Sequence, residues 1–302
     1  MLAACNSSRH FSSQGEIIQL ADPTIFVDNH TYYLYGTSEA AGFKVYVSND
    51  LKDWKYKGLA LKKGESYGTV GFWAPQIFKH HNKYYMAYTA NENIAIAVAN
   101  NPEGPFRQNV LAPLKSDVRI IDPFVFISDT AMYLYHVRLD KGNRIFVARL
   151  NADFEMMPST LQECIAATTG WEDTQNVEWK VAEGPSVFKK NGYYYMLYSA
   201  NDFRNPDYAV GYAVAESPYG PWMRHENNPI ISRKDIQQNG PGHGEIFKNK
   251  KGVYNYVFHT HFSNAKVAPR KTAIIKLQVK KTGNKPMVFT PQIKTFQFLK
   301  EN

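Results

Sequence analysis

Three acidic residues of this 302-residue chain, Asp22, Asp122 and Glu183, stand at corresponding places in a motif that recurs along its length. Asp22 opens Asp22-Pro23-Thr24-Ile25-Phe26, Asp122 opens Asp122-Pro123-Phe124-Val125-Phe126, and Glu183 immediately precedes Gly184-Pro185-Ser186-Val187-Phe188. The other copies are Ala74-Pro75-Gln76-Ile77-Phe78 and His243-Gly244-Glu245-Ile246-Phe247. The Ile/Val-Phe end of the motif persists, as packing demands, whereas its head changes from copy to copy in a way that packing does not demand. An Asp before Pro also initiates turns; that accounts for one copy but poorly for three acids converging at or beside the head. Carboxylates gathered around a pocket suit hydrolysis of a glycosidic bond, in which one acid protonates the leaving oxygen and another activates water or attacks carbon. A third would keep the acid protonated and oriented, since like charges close together resist joint ionisation.

Such chemistry needs a scaffold that brings residues 22, 122 and 183 together. After each motif come a short polar turn and a tyrosine-rich run: Tyr32-Tyr33-Leu34-Tyr35, Tyr84-Tyr85-Met86-Ala87-Tyr88, Met132-Tyr133-Leu134-Tyr135, Tyr193 to Tyr198, and Tyr254-Asn255-Tyr256-Val257-Phe258. The unit is a hairpin, and a third strand follows it at Phe43–Ser48, Ile94–Ala99, Arg144–Arg149, Ala209–Ala215 and Ala273–Leu277. The motif prolines fall 52, 48 and 62 residues apart, with Gly244 a further 59 on. A period near 50 in an all-β chain predicts propeller blades. The expected fold is an all-β, five-bladed β-propeller of four-stranded antiparallel blades, occupying residues 16–302 as a single domain behind a flexible tether at 1–15. The innermost strand of every blade lines the central channel, so the motif heads form a ring around its mouth.

Because a residue before proline is driven from the right-handed α region, each X-Pro marks a strand entrance. Turns rich in Gly, Pro, Asn and Asp lead to Trp54, Phe106 and Trp222, expected to pack between blades, and residues 290–299 offer the outer strand of blade five. Residues 151–182 form the widest interval between blades, the kind of loop that often carries function.

Composition narrows the alternatives. Forty-four per cent of residues are apolar, with twenty tyrosines and eighteen phenylalanines, which supplies a core and suits strands. The formal charge of +8 raises the question of nucleic acid. However, much of the lysine sits in hairpin turns such as Lys79–Lys83, Lys189-Lys190 and Lys248–Lys251, a solubility device, and no nucleic-acid motif accompanies it. No transmembrane segment is legible, and a monomer is expected. Two cysteines, Cys5 and Cys164, are too few for a disulfide framework. Leu2-Ala3-Ala4-Cys5 reads like the small-residue box before a lipidated cysteine, which predicts a bacterial cell-envelope location anchored through Cys5.

Taken together, Ala21-Asp22-Pro23, Gly71-Phe72-Trp73-Ala74-Pro75, Ile121-Asp122-Pro123-Phe124, Ala182-Glu183-Gly184-Pro185 and Gly240-Pro241-Gly242-His243 resemble the motif series of glycoside hydrolase family 43, in order and spacing, along nearly the whole chain. The resemblance implies a five-bladed propeller acting with inversion on arabinose- or xylose-containing plant polysaccharides. It implies Asp22 as general base, Glu183 as general acid and Asp122 as the group that tunes the acid. It also implies that Arg270 contacts the terminal sugar, and that His243 lies on the axis near a hydrated calcium ion held through water. No organic cofactor is implied. Trp73, beside the blade-two head, either stacks on a sugar or is buried core.

His259-x-His261 lacks a third metal ligand and reads as structural, His80-His81 as a solvated turn, and Glu172, Asp173 and Glu178 as residues of the pocket rim at most. The expected enzyme releases terminal α-L-arabinofuranosyl or β-xylosyl residues from arabinan, arabinoxylan or arabinogalactan. The alternatives are an endo-acting arabinanase or xylanase on the same fold, and a glycan-binding propeller without catalysis, which would show aromatics at the ring and loss of one or more acids.

Overall fold

The computed structural model describes residues 15–38, 41–168, 170–281, 283 and 285–302; Cys5 and the rest of the expected tether up to residue 14 lie outside the described residues. Five antiparallel sheets follow one another around an axis. Their innermost strands are Ala21–Asp28, Trp73–His80, Ile120–Ile127, Ala182–Lys190 and Gly242–Lys248, each made by one copy of the motif. The second strands are the tyrosine runs, Thr31–Thr37, Lys83–Ala90, Met132–Leu139, Tyr193–Ala200 and Tyr254–Thr260. Third strands follow at Gly42–Ser48, Asn93–Ala99, Asn143–Leu150, Ala209–Ala215 and Lys271–Lys280.

Outer strands depart from the expected four-stranded plan. Blade one has a long one, Asp53–Lys62, while blade two has three strands and only a single bridge, Val98 to Arg107, where a fourth would run. Pro102, Pro105 and Pro113 fall in that segment, and each removes a ladder donor. In blade five the place expected for one strand over 290–299 is shared by Val288–Pro291 and Gln297–Phe298, both paired with Lys271–Lys280.

The sequence left the closure of the ring open. Lys300–Glu301 runs parallel to Asp53–Trp54 and antiparallel to Glu16–Ile17, so both ends of the described chain join the outer edge of blade one. Between these ends and blade five, Ile18 N–H donates to the Leu299 carbonyl and Thr272 N–H to that of Ile18, at 2.9 Å each, which ties the last blade to the first.

The core lies in the sheets and between them. Trp54 and Phe106 are fully buried and Trp222 nearly so, as expected of packing residues; burial of a ring like Phe106 contributes about 1.5–3 kcal/mol. Tyrosine hydroxyls join neighbouring blades: Tyr135 donates to the Pro218 carbonyl at 2.7 Å, and Tyr35 likewise to that of Pro102.

The residue before each motif proline is not extended, as strand entrance suggested. Asp22, Ala74, Asp122, Gly184 and the blade-five equivalent His243 all take positive φ, between 40° and 60°. Each makes a bulge: pairing passes from Ala21 with Thr37 directly to Thr24 with Tyr35, and from Glu183 with Ser199 to Ser186 with Leu197. A bulge re-aims a side chain, and at the mouth of a ring it turns the heads inward.

Candidate functional site

A left-handed residue other than glycine costs about 1–2 kcal/mol and must be held by its surroundings. The preceding blade does the holding. Thr37 of blade one accepts from Ala74 N–H of blade two at 2.9 Å, Thr89 of blade two from Asp122 N–H at 3.0 Å, and Ser199 of blade four from His243 N–H at 2.8 Å. His259 of blade five closes the cycle, its Nδ1 accepting from Asp22 N–H at 3.1 Å. Blade three breaks the pattern, since there the Asp122 carboxylate itself takes the Gly184 N–H.

Three of the heads, Asp22, Asp122 and His243, form the floor of a cavity of about 370 Å³. Asp22, Asp122, Glu183, Trp73, Arg270 and His243, the six residues singled out from sequence, all line it. Trp73 is 37 % exposed and is therefore a wall of the mouth rather than core; Phe72 beside it is the buried ring. Trp73 and Glu183 hold the same register position, one residue before the left-handed head, in blades two and four.

Asp22 is the most heavily partnered acid. Arg270 donates to its Oδ1 at 3.0 Å and Thr37 to its Oδ2 at 2.6 Å, with His243 Nδ1 at 3.5 Å and His259 Nδ1 at 3.4 Å. Burial alone would raise its pKa, yet Arg270, the two histidines and Thr37 together hold the carboxyl below the usual range. Burial pushes Glu183 the other way, up to about 7. Hydrogen bonds from Tyr208 and Asn143, both at 2.9 Å, oppose that rise, and the charges of Asp22 and Asp202 add to it. Asp122 is raised well above the carboxylate range by burial and by the charges of Glu183 and Asp22, and its Oδ2 has no hydrogen-bond partner among the described residues, with His243 Nδ1 3.8 Å away. Oxygens of Asp122 and Glu183 and a ring nitrogen of His243 lie within 4.8 Å of one another. One carboxylate is thus held ionised beside two that favour the proton, the separation that assigns base and acid roles in hydrolytic sites.

Several cavity residues lay outside the repeat and were not anticipated. Asn143 joins Glu183 to the indole N–H of Trp179, 2.9 Å from Asn143 Oδ1. Trp179 comes from the long 151–182 interval and is half exposed at the rim. Tyr208 of blade four is fully buried and outside the lining, and reaches Glu183 through its hydroxyl. The one trace of it in the sequence is Gly242, where a Cβ would fall 2.1 Å from the tyrosine ring. Asp202, Phe203 and Arg204 complete the wall: Arg204 pairs with Asp202 at 2.6 Å, and Arg270 lies over the Phe203 ring with its Cζ 4.7 Å from the centroid.

Glu172 is not at the rim; it is buried, paired with Arg224 at 2.7 Å and accepting from Tyr198 at 2.6 Å. Asp173 pairs with Lys180 at 3.3 Å, and neither it nor Glu178 lines the cavity. His259 and His261 make structural bonds, the latter from its ring nitrogen to the Phe203 carbonyl at 2.8 Å. His80 is not fully solvated but half-buried against Tyr85 and Phe154.

Comparison with known proteins follows this geometry. A crystal structure of an endo-1,4-β-xylanase from Bacteroides thetaiotaomicron VPI-5482 superposes with a TM-score of 0.89 at 40 % identity, covering 96 % of this chain and 99 % of that one. A putative β-xylosidase of Xylanibacter ruminicola is 25 % identical over 83 % of this chain and 46 % of its own length. A non-reducing end α-L-arabinofuranosidase of Bacteroides ovatus is 24 % identical over 77 % and 44 %. The chain thus spans about half the length of these two curated relatives. The model of the glycosyl hydrolases family 43 matches residues 17–284, a stretch that holds all five motif copies and every residue of the cavity floor. A match of that extent, on a five-bladed ring, places this chain in glycosyl hydrolase family 43.

Proposed function

We propose that the protein is an inverting glycoside hydrolase that removes terminal α-L-arabinofuranosyl or β-xylosyl residues from plant cell-wall polysaccharides. The observation that carries this reading is the convergence of three carboxyls from separate blades on one cavity, with Asp22 held below the usual carboxylate range and Glu183 raised to about 7. Glu183 delivers its proton to the glycosidic oxygen as that bond breaks. Asp22 accepts a proton from a water that attacks the anomeric carbon from the opposite face, so the product sugar leaves with inverted configuration. Asp122, which itself favours the proton, fixes the blade-four head through Gly184, the residue next to the acid, and so positions Glu183. Trp73 and Trp179 offer ring faces to the sugar. A glycan-binding propeller without catalysis is disfavoured because none of the three acids is lost.

Terminal action is supported by the size of the cavity, at the small end of ordinary ligand pockets. Endo-action on xylan is the second reading, favoured by the 40 % identity to a protein described as an endo-1,4-β-xylanase. The test is the product profile on linear arabinan, arabinoxylan and xylan, with proton NMR of the first-formed anomer. Monomeric pentose of inverted configuration supports the first reading, a ladder of oligosaccharides the second, and a retained anomer overturns the mechanism.

Calcium is part of the proposal. Beneath His243 the axial channel carries the Glu245 carboxylate and the Thr24 hydroxyl, which bond to each other. Calcium takes six to eight oxygen ligands, more than these side chains supply. They fit an ion held largely through water, with His243 and Glu245 facing it. When bound, it would supply positive charge along the axis.

A further inference from the structure

The basic excess of this chain is confined to one blade. Residues 242–298, which make blade five, carry eleven Lys and Arg and one acid, Glu245, which leaves 24 basic and 26 acidic side chains for the rest of the chain. Blade five is therefore strongly cationic on a chain otherwise slightly anionic, a segregation that scattered solubility lysines do not produce.

Part of that charge converges on a groove. Because the innermost strands start at the sugar cavity, their hairpins with the second strands lie on the opposite face. There the 249–251 hairpin of blade five and the 49–52 turn of blade one border a concavity of about 600 Å³. Lys52, Lys250, Lys251, Lys276 and Lys294 line it. Lys250 belongs to the floor, bonded to the Asn49 carbonyl and lying over the Tyr32 ring. Lys52, Lys251, Lys276 and Lys294 are exposed, and among the described residues none is in an ion pair. The one acid in the lining, Asp50, is taken up by its own turn, accepting from Lys52 and Asp53 N–H at 2.8 and 3.0 Å.

We propose that this groove binds a carboxylate-bearing polysaccharide, a uronic-acid-containing glycan chain, as a second site remote from the cavity. Lysine supplies unspecific attraction for carboxylates, while the amides of Asn249 and Gln297 in the same lining suit the hydroxyls of a sugar chain. A concave, amide-lined trough fits a linear glycan better than the flat face of a membrane. The choice of a glycan among polyanions rests on membership of a glycoside hydrolase family, but binding here does not require the proposed base and acid.

The experiment is affinity electrophoresis of the full chain in native gels containing polygalacturonate or neutral linear arabinan, with three proteins compared: wild type, K251Q/K276Q/K294Q, and K57Q/K83Q/K115Q, which removes the same charge from exposed sites elsewhere. Wild type and the distant triple variant are expected to be retarded equally by polygalacturonate. The groove variant is expected to bind about tenfold more weakly, since each exposed charge pair contributes modestly, and retardation should vanish in about 0.5 M salt. Melting temperature and hydrolysis of nitrophenyl arabinofuranoside should be the same in all three. Equal weakening of both triple variants would mean net charge alone and would overturn the proposal. So would lysine-dependent binding to phosphatidylglycerol vesicles or duplex DNA without binding to polygalacturonate. Absence of hydrolysis by wild type would count against the proposed function and leave the binding result to stand by itself.

Discussion

Asn143 and Glu183 are joined by a 2.9 Å hydrogen bond in which the amide nitrogen donates, and the amide is itself oriented by the indole of Trp179. A donor of this kind favours the ionised carboxylate, so it restrains the rise that burial imposes on Glu183. Asn143→Ala should therefore move the basic limb of the pH–rate profile to higher pH, and misplacement of the acid should lower kcat roughly tenfold. Trp179→Phe should shift the same limb less, through a loosened amide. A profile that keeps its shape in both variants would remove Asn143 from the acid's control.

The acid and base roles separate by leaving group. Glu183→Gln should reduce hydrolysis of polysaccharide by about 10²–10⁴-fold, yet much less with a dinitrophenyl glycoside, whose leaving oxygen needs no proton. Asp22→Asn should depress both substrates by a similar factor, because activation of water is needed for each. The reverse pattern, measured as kcat/KM on the two substrates, would exchange the assignments.

In the proposed mechanism, activity requires Glu183 protonated and Asp22 ionised. With Glu183 near 7, the rate should fall as pH rises through about 7, and with Asp22 depressed the acid limb should lie below the ordinary carboxylate range. Arg270 contributes the largest of the interactions that lower Asp22, so Arg270→Ala should carry the acid limb upward. An unmoved acid limb in that variant would detach Arg270 from the base.

Glu245 is raised from 4.5 to about 7 by burial, against the opposing hydrogen bond from Thr24. A raised carboxyl contributes stability that is fully present below its unfolded pKa and is lost as pH climbs through the folded value. Glu245→Gln keeps an acceptor for Thr24 and removes the buried charge. Without divalent ions the variant should exceed wild type by up to about 3 kcal/mol at pH 8 and match it near pH 4. Thermal melts at the two pH values decide the matter; a gain of equal size at both would point to packing instead.

Calcium should reverse that ranking. At pH 8 its addition is expected to raise the melting temperature of wild type and leave Glu245→Gln unaffected, with chelator returning wild type to its starting value. Equal shifts in the two proteins, or none, would remove Glu245 from the ion's surroundings.

What was legible in the sequence was what the repeat encodes. Five proline heads and five tyrosine runs place Asp22, Asp122 and Glu183 at one mouth because innermost strands of a ring share an axis. Asn143, Trp179 and Tyr208 belong to no repeated position; their approach to Glu183 depends on how loops and third strands pack, which no periodicity reports. The left-handed heads were hidden because X-Pro alone favours extended backbone, and the neighbouring blade's hydroxyls that stabilise the turn come from residues 33 to 44 positions away. Glu172 looked like a rim residue because its partners Arg224 and Tyr198 are likewise distant in sequence.

The meeting of Glu16–Ile17 with Lys300–Glu301 on the edge of blade one makes the two ends of the described chain one fastening. Trimming the last three residues would strip the first strand of its partner as well, so a short deletion at the carboxyl end should loosen residues at the amino end. Residue 15 and residue 302 therefore lie side by side at the rim, on the edge of the blade farthest from the innermost strand that lines the cavity.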